Sequence, residues 1–253
     1  MQLKDKTALI AGAGRNNGRA IALAFAREGA DLILISRKRR EELDAVTKEC
    51  ESLGAKVLPL LADVSKPDEV NRSVQQGLDR FGKVDISVSV VGLRRHKDFW
   101  DISNEEWLET FAVNLHSTFY LAKALAPSMM KRKTGSIIAL GGLASVTSQP
   151  QRAHVVASKT GLYGLIKSLA LELGPYGIRA NLIALSVIVN ERLNPEWYPE
   201  VKGSPRVIED VEATALKRAG TRDEVANVAL FLASEQSSYV TGDRIICAGG
   251  KYM

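Results

Sequence analysis

The chain has 253 residues, 45% of them hydrophobic and 25% charged, so it can bury one full core and has an ordinary globular composition. It contains neither an apolar run of about eighteen residues nor a leader with a cleavage site, so we expect no membrane partner and no secretion. Two cysteines fit a reducing, cytoplasmic setting, and we interpret the net charge of +5 as solvated surface, not as a nucleic-acid-binding face.

Strand and helix patterns alternate along the whole chain. Short apolar runs predict seven strands, at residues 7–11, 32–35, 57–61, 84–91, 136–140, 178–185 and 244–248. Strands that are apolar on both faces and alternate with helices indicate a parallel sheet covered on both sides. The sequence therefore predicts an α/β fold of one domain, residues 1–253: a doubly wound, mostly parallel seven-stranded sheet with helices on both faces, as in a Rossmann fold.

Three of the helices carry a capping-box signature at their start. The signatures are Ser65 with Asp68, Ser103 with Glu106, and Thr221 with Glu224. We expect the second of these to be a long helix that runs to about Lys131. A further helix is expected from about His154 to Leu173.

Residues 186–215 interrupt the regular pattern. They are rich in Pro, Glu and Arg and have weak periodicity. Long irregular segments inside compact domains are often lids or binding loops. We interpret this stretch as a substrate lid, with a plain surface insertion as the alternative.

A glycine-rich loop follows the first predicted strand and opens the first helix. It reads Gly12-Ala13-Gly14-Arg15-Asn16-Asn17-Gly18. Glycines here permit a tight turn and let backbone N–H groups approach a pyrophosphate at a helix N-terminus. At the start of a βαβ array, the loop predicts a dinucleotide-binding site.

The end of the second predicted strand bears on the choice of dinucleotide. An NAD site typically offers an Asp or Glu there to bind the ribose 2′-hydroxyl, but this strand ends in Ser36-Arg37. Arg37, with Arg15 converging from the glycine loop, could instead bind a 2′-phosphate through charge-assisted hydrogen bonds. A solvated basic turn is the alternative. The sequence favours NADP(H) as the cofactor.

With these motifs the chain resembles the short-chain dehydrogenase/reductase family over nearly its whole length, the lid segment excepted. Besides the glycine loop, the resemblance is carried by Ala62-Asp63-Val64, Val113-Asn114, Ala157-Ser158-Lys159, Gly177-Ile178-Arg179-Ala180-Asn181, Tyr239-Val240-Thr241-Gly242 and Gly249-Gly250. It implies that Asp63 contacts the adenine and Lys159 the nicotinamide ribose. It further implies that Asn114 holds a water in a proton relay.

The same resemblance implies further cofactor contacts and an assembly. The remaining contacts fall on Ser36, Val64, Val91, Gly92, Ser186, Ile188 and Asn190. Asn190 stands where the family often places a threonine that contacts the nicotinamide amide. Family members of this kind are often tetramers, so a homotetramer is expected, with the tail from Tyr239 to Met253 taking part.

Departures from the family pattern fall at the reacting centre. The catalytic serine falls on Gly142, and the catalytic tyrosine, four residues before Lys159, falls on Val155. A general acid is worth a factor of about 10²–10⁴ and one oxyanion donor about 10²–10³, so ordinary carbonyl reduction should be weak. Asn16 replaces a family glycine, and because Asn tolerates a left-handed backbone the turn is expected to survive.

Substitute groups near these positions are not favoured. We expect His154 to be a surface or capping histidine, Tyr163 to belong to the core, and the loop serine Ser145 to be an ordinary polar residue. The basic residues Arg94, Arg95 and His96 follow the fourth strand and could bind an anionic substrate, but solvated charge is favoured. No metal-ligand spacing is seen.

Three hypotheses for function remain open. The first, which is favoured, is an NADP(H)-dependent oxidoreductase on a small carbonyl or alcohol, with a displaced proton donor or a water in the relay. The second is a cofactor-binding regulatory subunit or sensor without turnover. The third is a non-redox enzyme, such as a lyase, on the same scaffold.

Overall fold

Seven parallel strands form the single sheet of the computed structural model, which describes residues 1–190 and 205–252. The strands are β1 (Thr7–Ala11), β2 (Asp31–Ser36), β3 (Val57–Leu61), β4 (Ile86–Ser89), β5 (Gly135–Leu140), β6 (Ile178–Leu185) and β7 (Arg244–Cys247). Their order is β3-β2-β1-β4-β5-β6-β7, and every pairing is parallel. The predicted doubly wound α/β fold is confirmed.

Helices cover both faces of this sheet. They are α1 (Asn16–Arg27), α2 (Arg40–Ser52), α3 (Pro67–Phe81), α4 (Asn104–Phe111), α5 (Ser117–Arg132), α6 (Ala153–Leu173), α7 (Pro205–Glu212) and α8 (Arg222–Ala233). Successive strand residues point to opposite faces, so Ile10 packs with α1, α2 and α8, while Leu9 packs with α3, α5 and α6. The two cores that result explain why the strand sequences are apolar at almost every position.

The chain reverses direction across the sheet between β3 and β4. Strands β2 and β3 add successively on one side of β1, and α3 then carries the chain back so that β4 pairs on the other side of β1. Ligands of open α/β sheets bind at such a switch point, outside the carboxyl ends of the strands. The fold thus places a cleft between the loops that follow β1 and β4.

One of the three predicted capping boxes is wrong. Helix α3 begins at Pro67 after Lys66, which makes no side-chain cap bond, because the hydroxyl of Ser65 instead donates to the Asp63 carboxylate at 2.6 Å. The capping boxes before α4 and α8 are confirmed, since in each the hydroxyl accepts the N3 backbone N–H and the N3 glutamate accepts in return.

The long helix predicted from Ser103 to about Lys131 is confirmed, because helical backbone is continuous from Asn104 to Arg132. A π-helical turn, Ala112–His116, separates α4 from α5. The wider turn carries Asn114, whose buried side chain bonds to the backbone of Leu93. Such π turns often occur at functional sites.

The predicted lid is described only in part, because residues 191–204 lie outside the described residues. Within the rest of the 186–215 segment, α7 forms a short helix that the weak periodicity did not indicate. Ile188 also makes an isolated parallel bridge with Gly220. Among the described helices, none is long and apolar enough to cross a membrane.

Candidate functional site

The residues predicted to bind a cofactor lie at the carboxyl edge of the sheet. The glycine loop follows β1, Ser36 ends β2, Asp63 follows β3 and Gly92 follows β4. Further along the edge, Ser186 follows β6. The topology brings these separate sequence motifs to one side of the molecule.

Close backbone packing explains the first and last glycines of the loop. Gly12 has φ +88°, a left-handed backbone that side chains disfavour. A Cβ at Gly18 would lie 2.0 Å from the Gly12 carbonyl oxygen, so no larger residue fits without a shift. Asn16 adopts φ +49°, so the turn forms in this chain without the family glycine.

Two polar side chains of the loop have buried atoms without a partner. Arg15 Nη1 and Asn17 Oδ1 make no hydrogen bond within the described part of the chain. Buried polar groups are almost always satisfied, so each such atom calls for an explanation. A polar ligand at the loop would supply an acceptor for Arg15 and a donor for Asn17.

Arg37 extends from the end of β2 towards Asp63. Its guanidinium lies 3.9 Å from the Asp63 carboxylate, and its side chain is exposed. Asp63 also accepts from the backbone N–H of Ser65 at 3.0 Å. A loose, exposed ion pair of this kind contributes little to stability, so Arg37 can change partners at small cost.

Glu42 is a candidate site residue that the sequence did not indicate. A Cβ placed on Gly14 would lie 3.7 Å from the Cβ of Glu42 and 3.4 Å from the hydroxyl oxygen of Ser36. One carboxylate oxygen accepts from Arg39 at 2.6 Å, and the other is buried and has no partner in the part of the chain that the structure describes. A ribose-binding carboxylate is normally sought at the end of β2, but Glu42 lies six residues beyond that end, in the first turn of α2. Spacing along the sequence alone therefore does not reveal it.

A second cluster joins Lys159, Asn114 and Gly92. The Lys159 ammonium donates to the Leu140 carbonyl oxygen at 2.8 Å, at the end of β5. A Cβ on Gly92 would lie 3.6 Å from Lys159 Nζ and 3.5 Å from Asn114 Oδ1. The structure therefore brings together the ends of β4 and β5, the π turn and α6.

The side chain of Asn114 is held by the protein itself. Its Oδ1 accepts from Leu93 N–H at 2.7 Å, and its Nδ2 donates to Leu93 O and to Ser158 Oγ at 3.0 Å each. Both amide hydrogens are therefore used. A water at this position would have only the second lone pair of Oδ1, or the backbone, to bind.

Burial dominates the electrostatics of Lys159. The residue is 7% exposed, and desolvation lowers the pKa of its amine from 10.5 to about 8. Desolvation is the only influence on this pKa among the described residues, so no carboxylate compensates the charge. An amine of this pKa exchanges protons near neutral pH.

Val155 and Gly142, on which the family's tyrosine and serine are expected to fall, lie on α6 and directly after β5. Val155 is one helical turn before Lys159 on α6 and is buried. Gly142 has φ +74° and ψ 166°, a region that is essentially restricted to glycine. A serine introduced at position 142 would therefore be strained in this backbone.

The expectation that His154 lies on the surface is wrong. Its side chain is 1% exposed, and burial lowers the pKa of its imidazole. Charged residues that influence it include Glu106 of α4, against which α6 packs. The sequence around His154 gave no sign of this tertiary neighbour.

The other substitutes weighed for catalysis have structural partners. Ser145 donates its hydroxyl to the Gly142 carbonyl oxygen at 2.8 Å, within its own loop. Tyr163 packs against the core and lies 4.5 Å below the guanidinium of Arg244. Both arrangements agree with the non-catalytic interpretation.

Ion pairs and hydrogen bonds organise the basic rim after β4. Arg95 pairs with Glu109 at 2.6 Å, and Arg152 donates to His96 Nε2 at 3.0 Å. No group of His, Cys, Asp and Glu that could hold a metal ion occurs in the part of the chain that the structure describes.

Asn190, at the other end of the cleft, has a buried Oδ1 without a hydrogen-bond partner among the described residues. It follows Ile188, which is buried, and Ser186, which is partly exposed. After β3, Val64 is buried, and after β4, Val91 packs 3.2 Å from where a Cβ on Gly12 would lie. Groups that could contact a ligand therefore follow β3, β4 and β6 at this edge of the sheet.

Comparisons with known proteins agree with this layout. Residues 12–251 match the enoyl-(acyl carrier protein) reductase family model. The 3-oxoacyl-[acyl-carrier-protein] reductase of Staphylococcus epidermidis is 32% identical over 249 residues, covering 98% of this chain and 100% of the relative. The protein of the same name from Thermotoga maritima is 34% identical over 255 residues, covering 99% of each chain.

Solved structures match as closely in fold. Levodione reductase superposes with a TM-score of 0.93 at 28% identity, covering 98% of both chains. A 7α-hydroxysteroid dehydrogenase complexed with NADH and 7-oxo glycochenodeoxycholic acid superposes with a TM-score of 0.92 at 28% identity, covering 98% of this chain and 95% of the other.

Proposed function

The chain belongs to the short-chain dehydrogenase/reductase family of oxidoreductases, and from this premise we propose that it uses NADP(H) to act on a small carbonyl or alcohol substrate at an atypical active site. The observation that carries the proposal is the buried Arg15 Nη1, which has no partner among the described residues and lies in a loop shaped for a pyrophosphate. A guanidinium in this position fits an anionic group better than a sugar hydroxyl.

The residues of the cleft fit such a cofactor. Gly12 and Gly18 have no side chains, so a ligand can approach the backbone at the turn. The buried atoms Arg15 Nη1, Asn17 Oδ1 and Asn190 Oδ1, which have no partner among the described residues, can form hydrogen bonds with the cofactor. Arg37 would hold the 2′-phosphate, in place of its present partner Asp63. When bound, the cofactor supplies or accepts the hydride.

The chain's own part in the reaction centres on Lys159. Its amine binds the nicotinamide ribose and moves a proton near the substrate oxygen through a water, since Val155 offers no hydroxyl. Asn114 orients that region by fixing the backbone of Leu93. Without a tyrosine in contact with the substrate, turnover of generic ketones is slow.

Cofactor preference is tested by Arg37→Ala. The variant should bind NADPH about ten- to a hundredfold more weakly, because one charge-assisted hydrogen bond is worth about 1.5–3 kcal/mol. Binding of NADH should not change. Isothermal titration calorimetry with both cofactors measures this, and Lys38→Ala, an exposed neighbour, is the matched control.

Glu42→Gln distinguishes the alternative cofactor. If Glu42 binds a ribose 2′-hydroxyl, this variant weakens NADH, whereas the proposal expects NADPH binding to be retained or improved. Wild-type protein that binds NADH as tightly as NADPH, or Arg37→Ala that binds NADPH unchanged, would contradict the proposal.

The altered reacting centre is tested by Val155→Tyr. Wild-type protein should reduce generic ketones and diketones poorly with NADPH, and the new phenol, one turn from Lys159, should raise the rate by about tenfold or more. Val155→Phe, which adds the ring without the hydroxyl, is the control for bulk in this buried position. Gly142→Ser should add little, because φ +74° strains a serine there.

Steady-state oxidation of NADPH, followed by absorbance, measures these rates. Each variant must first bind NADPH, as shown by calorimetry. Rapid ketone reduction by the wild type would show that another proton donor already acts on the substrate. Equal rates in the Val155→Tyr and Val155→Phe variants would show that the new phenol does not act as the proton donor.

A further inference from the structure

The amine of Lys159 lies in a recess lined by backbone. Its Nζ bonds to the Leu140 carbonyl oxygen, and a Cβ placed on Gly92 would sit 3.6 Å from the nitrogen, so a carbon atom fits beside it at van der Waals distance. Gly92 is exposed, so no side chain at that position closes the approach to the amine. At Gly142, a Cβ would meet only the Leu185 carbonyl oxygen, 3.7 Å away. A small molecule can therefore approach the nitrogen between the ends of β4 and β5.

Nothing charged faces this amine in the part of the chain that the structure describes. Desolvation alone accounts for its lowered pKa of about 8, and neither an acidic nor a second basic group contributes. Val155, one turn away on the same helix, presents an apolar surface where the family has a phenol. Near neutral pH a usable fraction of Lys159 is therefore the free amine, which is the nucleophilic form.

We propose that Lys159 is an amine nucleophile that condenses with small, uncharged aldehydes and ketones to form an imine, without any nicotinamide cofactor. The nitrogen lone pair attacks the carbonyl carbon, the carbonyl oxygen takes a proton from solvent, and the nitrogen releases one, which gives a neutral carbinolamine. Its hydroxyl takes a second proton from solvent and leaves as water while the carbon–nitrogen double bond forms, and the last N–H proton of the resulting iminium passes to solvent. The Leu140 carbonyl oxygen holds one N–H during the addition, which directs the lone pair away from the strand.

The uncharged class of ligand follows from the lining of the recess. Leu140 O, Gly92 and the amide of Asn114 lie near the amine, and no second cation contributes to its pKa among the described residues, so a carboxylate or phosphate on the ligand would have only Lys159 to pair with. Imine formation differs from hydride transfer because the substrate carbon becomes covalently bound to the protein. The test of imine formation is therefore independent of the proposal that the protein binds NADP(H).

Trapping with borohydride tests the site. Cofactor-free wild-type protein is incubated with acetone and sodium borohydride near neutral pH, then digested and mapped by mass spectrometry. We expect an isopropyl amine on Lys159 to form at least about tenfold faster than on Lys167, an exposed lysine of the same helix. The preference should disappear when the chain is unfolded in urea before labelling.

Two variants complete the experiment. Lys159→Arg keeps the positive charge but cannot form an imine, so the fast adduct should vanish, whereas Lys167→Arg should leave it intact. Because peptide mapping locates the adduct in the wild type, the test does not depend on the folding of either variant. Labelling of Lys159 no faster than Lys167 in the folded protein would overturn the proposal.

Discussion

A buried ammonium without a counterion makes Lys159 a source of instability as well as of reactivity. The unfolded chain holds the proton up to a pKa of about 10.5, whereas the folded protein releases it at about 8. Between these values the unfolded state binds more protons, so the free energy of unfolding rises with pH. Below about pH 8 both states are protonated, and the folded protein bears the full cost of the buried charge.

We therefore expect Lys159→Met to stabilise the protein at neutral pH. Removing the charge should gain up to about 3 kcal/mol and lose about 1 kcal/mol for the hydrogen bond to Leu140, a net gain on the order of 2 kcal/mol. Urea unfolding of the cofactor-free protein measures this. The gain should shrink between about pH 8 and 10.5, above which the lost hydrogen bond leaves the variant about 1 kcal/mol less stable than the wild type.

Lys167→Met is the matched control for this measurement. Its side chain is exposed on the same helix, so the substitution should change the free energy of unfolding little, both at neutral pH and above about pH 10.5. A Lys159→Met variant that is less stable than the wild type at neutral pH would show that the amine is not an uncompensated buried charge.

Residue-level features differ in how far the sequence can reveal them. The loop glycines are predictable because strand, turn and helix signals adjoin them. The burial of His154 depends on α4, and the position of Glu42 depends on how α2 begins beside Gly14. Both arise from packing between distant segments, which the local pattern does not encode.

At the scale of the elements, two helical glycines with opposite surroundings allow a direct comparison. Gly18 in the first turn of α1 sits against the Gly12 carbonyl oxygen, whereas Gly164 in the middle of α6 has no heavy atom within 4 Å of an added Cβ. Gly18→Ala should destabilise the protein by about 2 kcal/mol or more and weaken cofactor binding. Gly164→Ala should stabilise it by about 0.5–1 kcal/mol.

Thermal and urea unfolding of both variants measure these effects. The two substitutions add the same methyl group to a helix, so helix propensity cancels in the comparison. Equal changes in stability would contradict the close packing of the phosphate loop against α1.

Strands were predictable because their branched, apolar runs end sharply at turn residues. Thr7–Ala11, Val57–Leu61 and Ile178–Leu185 have the predicted bounds. The π turn could not be predicted, since one extra residue in a turn hardly changes the hydrophobic stripe that joins α4 and α5. At helix α3 the sequence instead predicted a feature that is absent: Ser65 has the sequence of a capping residue, but its hydroxyl donates to Asp63 and does not cap the helix.

Assembly belongs to the scale of the whole molecule, and we expect a homotetramer. Among the described residues β7 pairs with β6 alone, and its Ile246 is 40% exposed. Leu171 of α6 and Tyr239, shortly before β7 in the chain, are 81% and 101% exposed. Exposed apolar side chains along an open strand edge mark an association surface. Light scattering at micromolar concentration should give a mass close to four chains.

Ile246→Lys should shift this mass towards dimers or monomers, because a lysine on an edge strand opposes pairing. Leu53→Lys, at an exposed apolar position beyond α2, is the control and should leave the mass unchanged. A monomeric wild type would exclude the expected assembly.

The strand order also dictates how the molecule is completed during synthesis. The first three strands to leave the ribosome form one half of the sheet, yet β1 keeps a bare flank until β4 has emerged beside it. From then on the nascent chain adds β5, β6 and β7 outward, each to the strand made just before it. Because β7 follows β6 in the chain and covers its outer edge, β6 exposes its hydrogen-bonding groups until β7 has emerged, and a polypeptide interrupted before β7 is prone to mispairing.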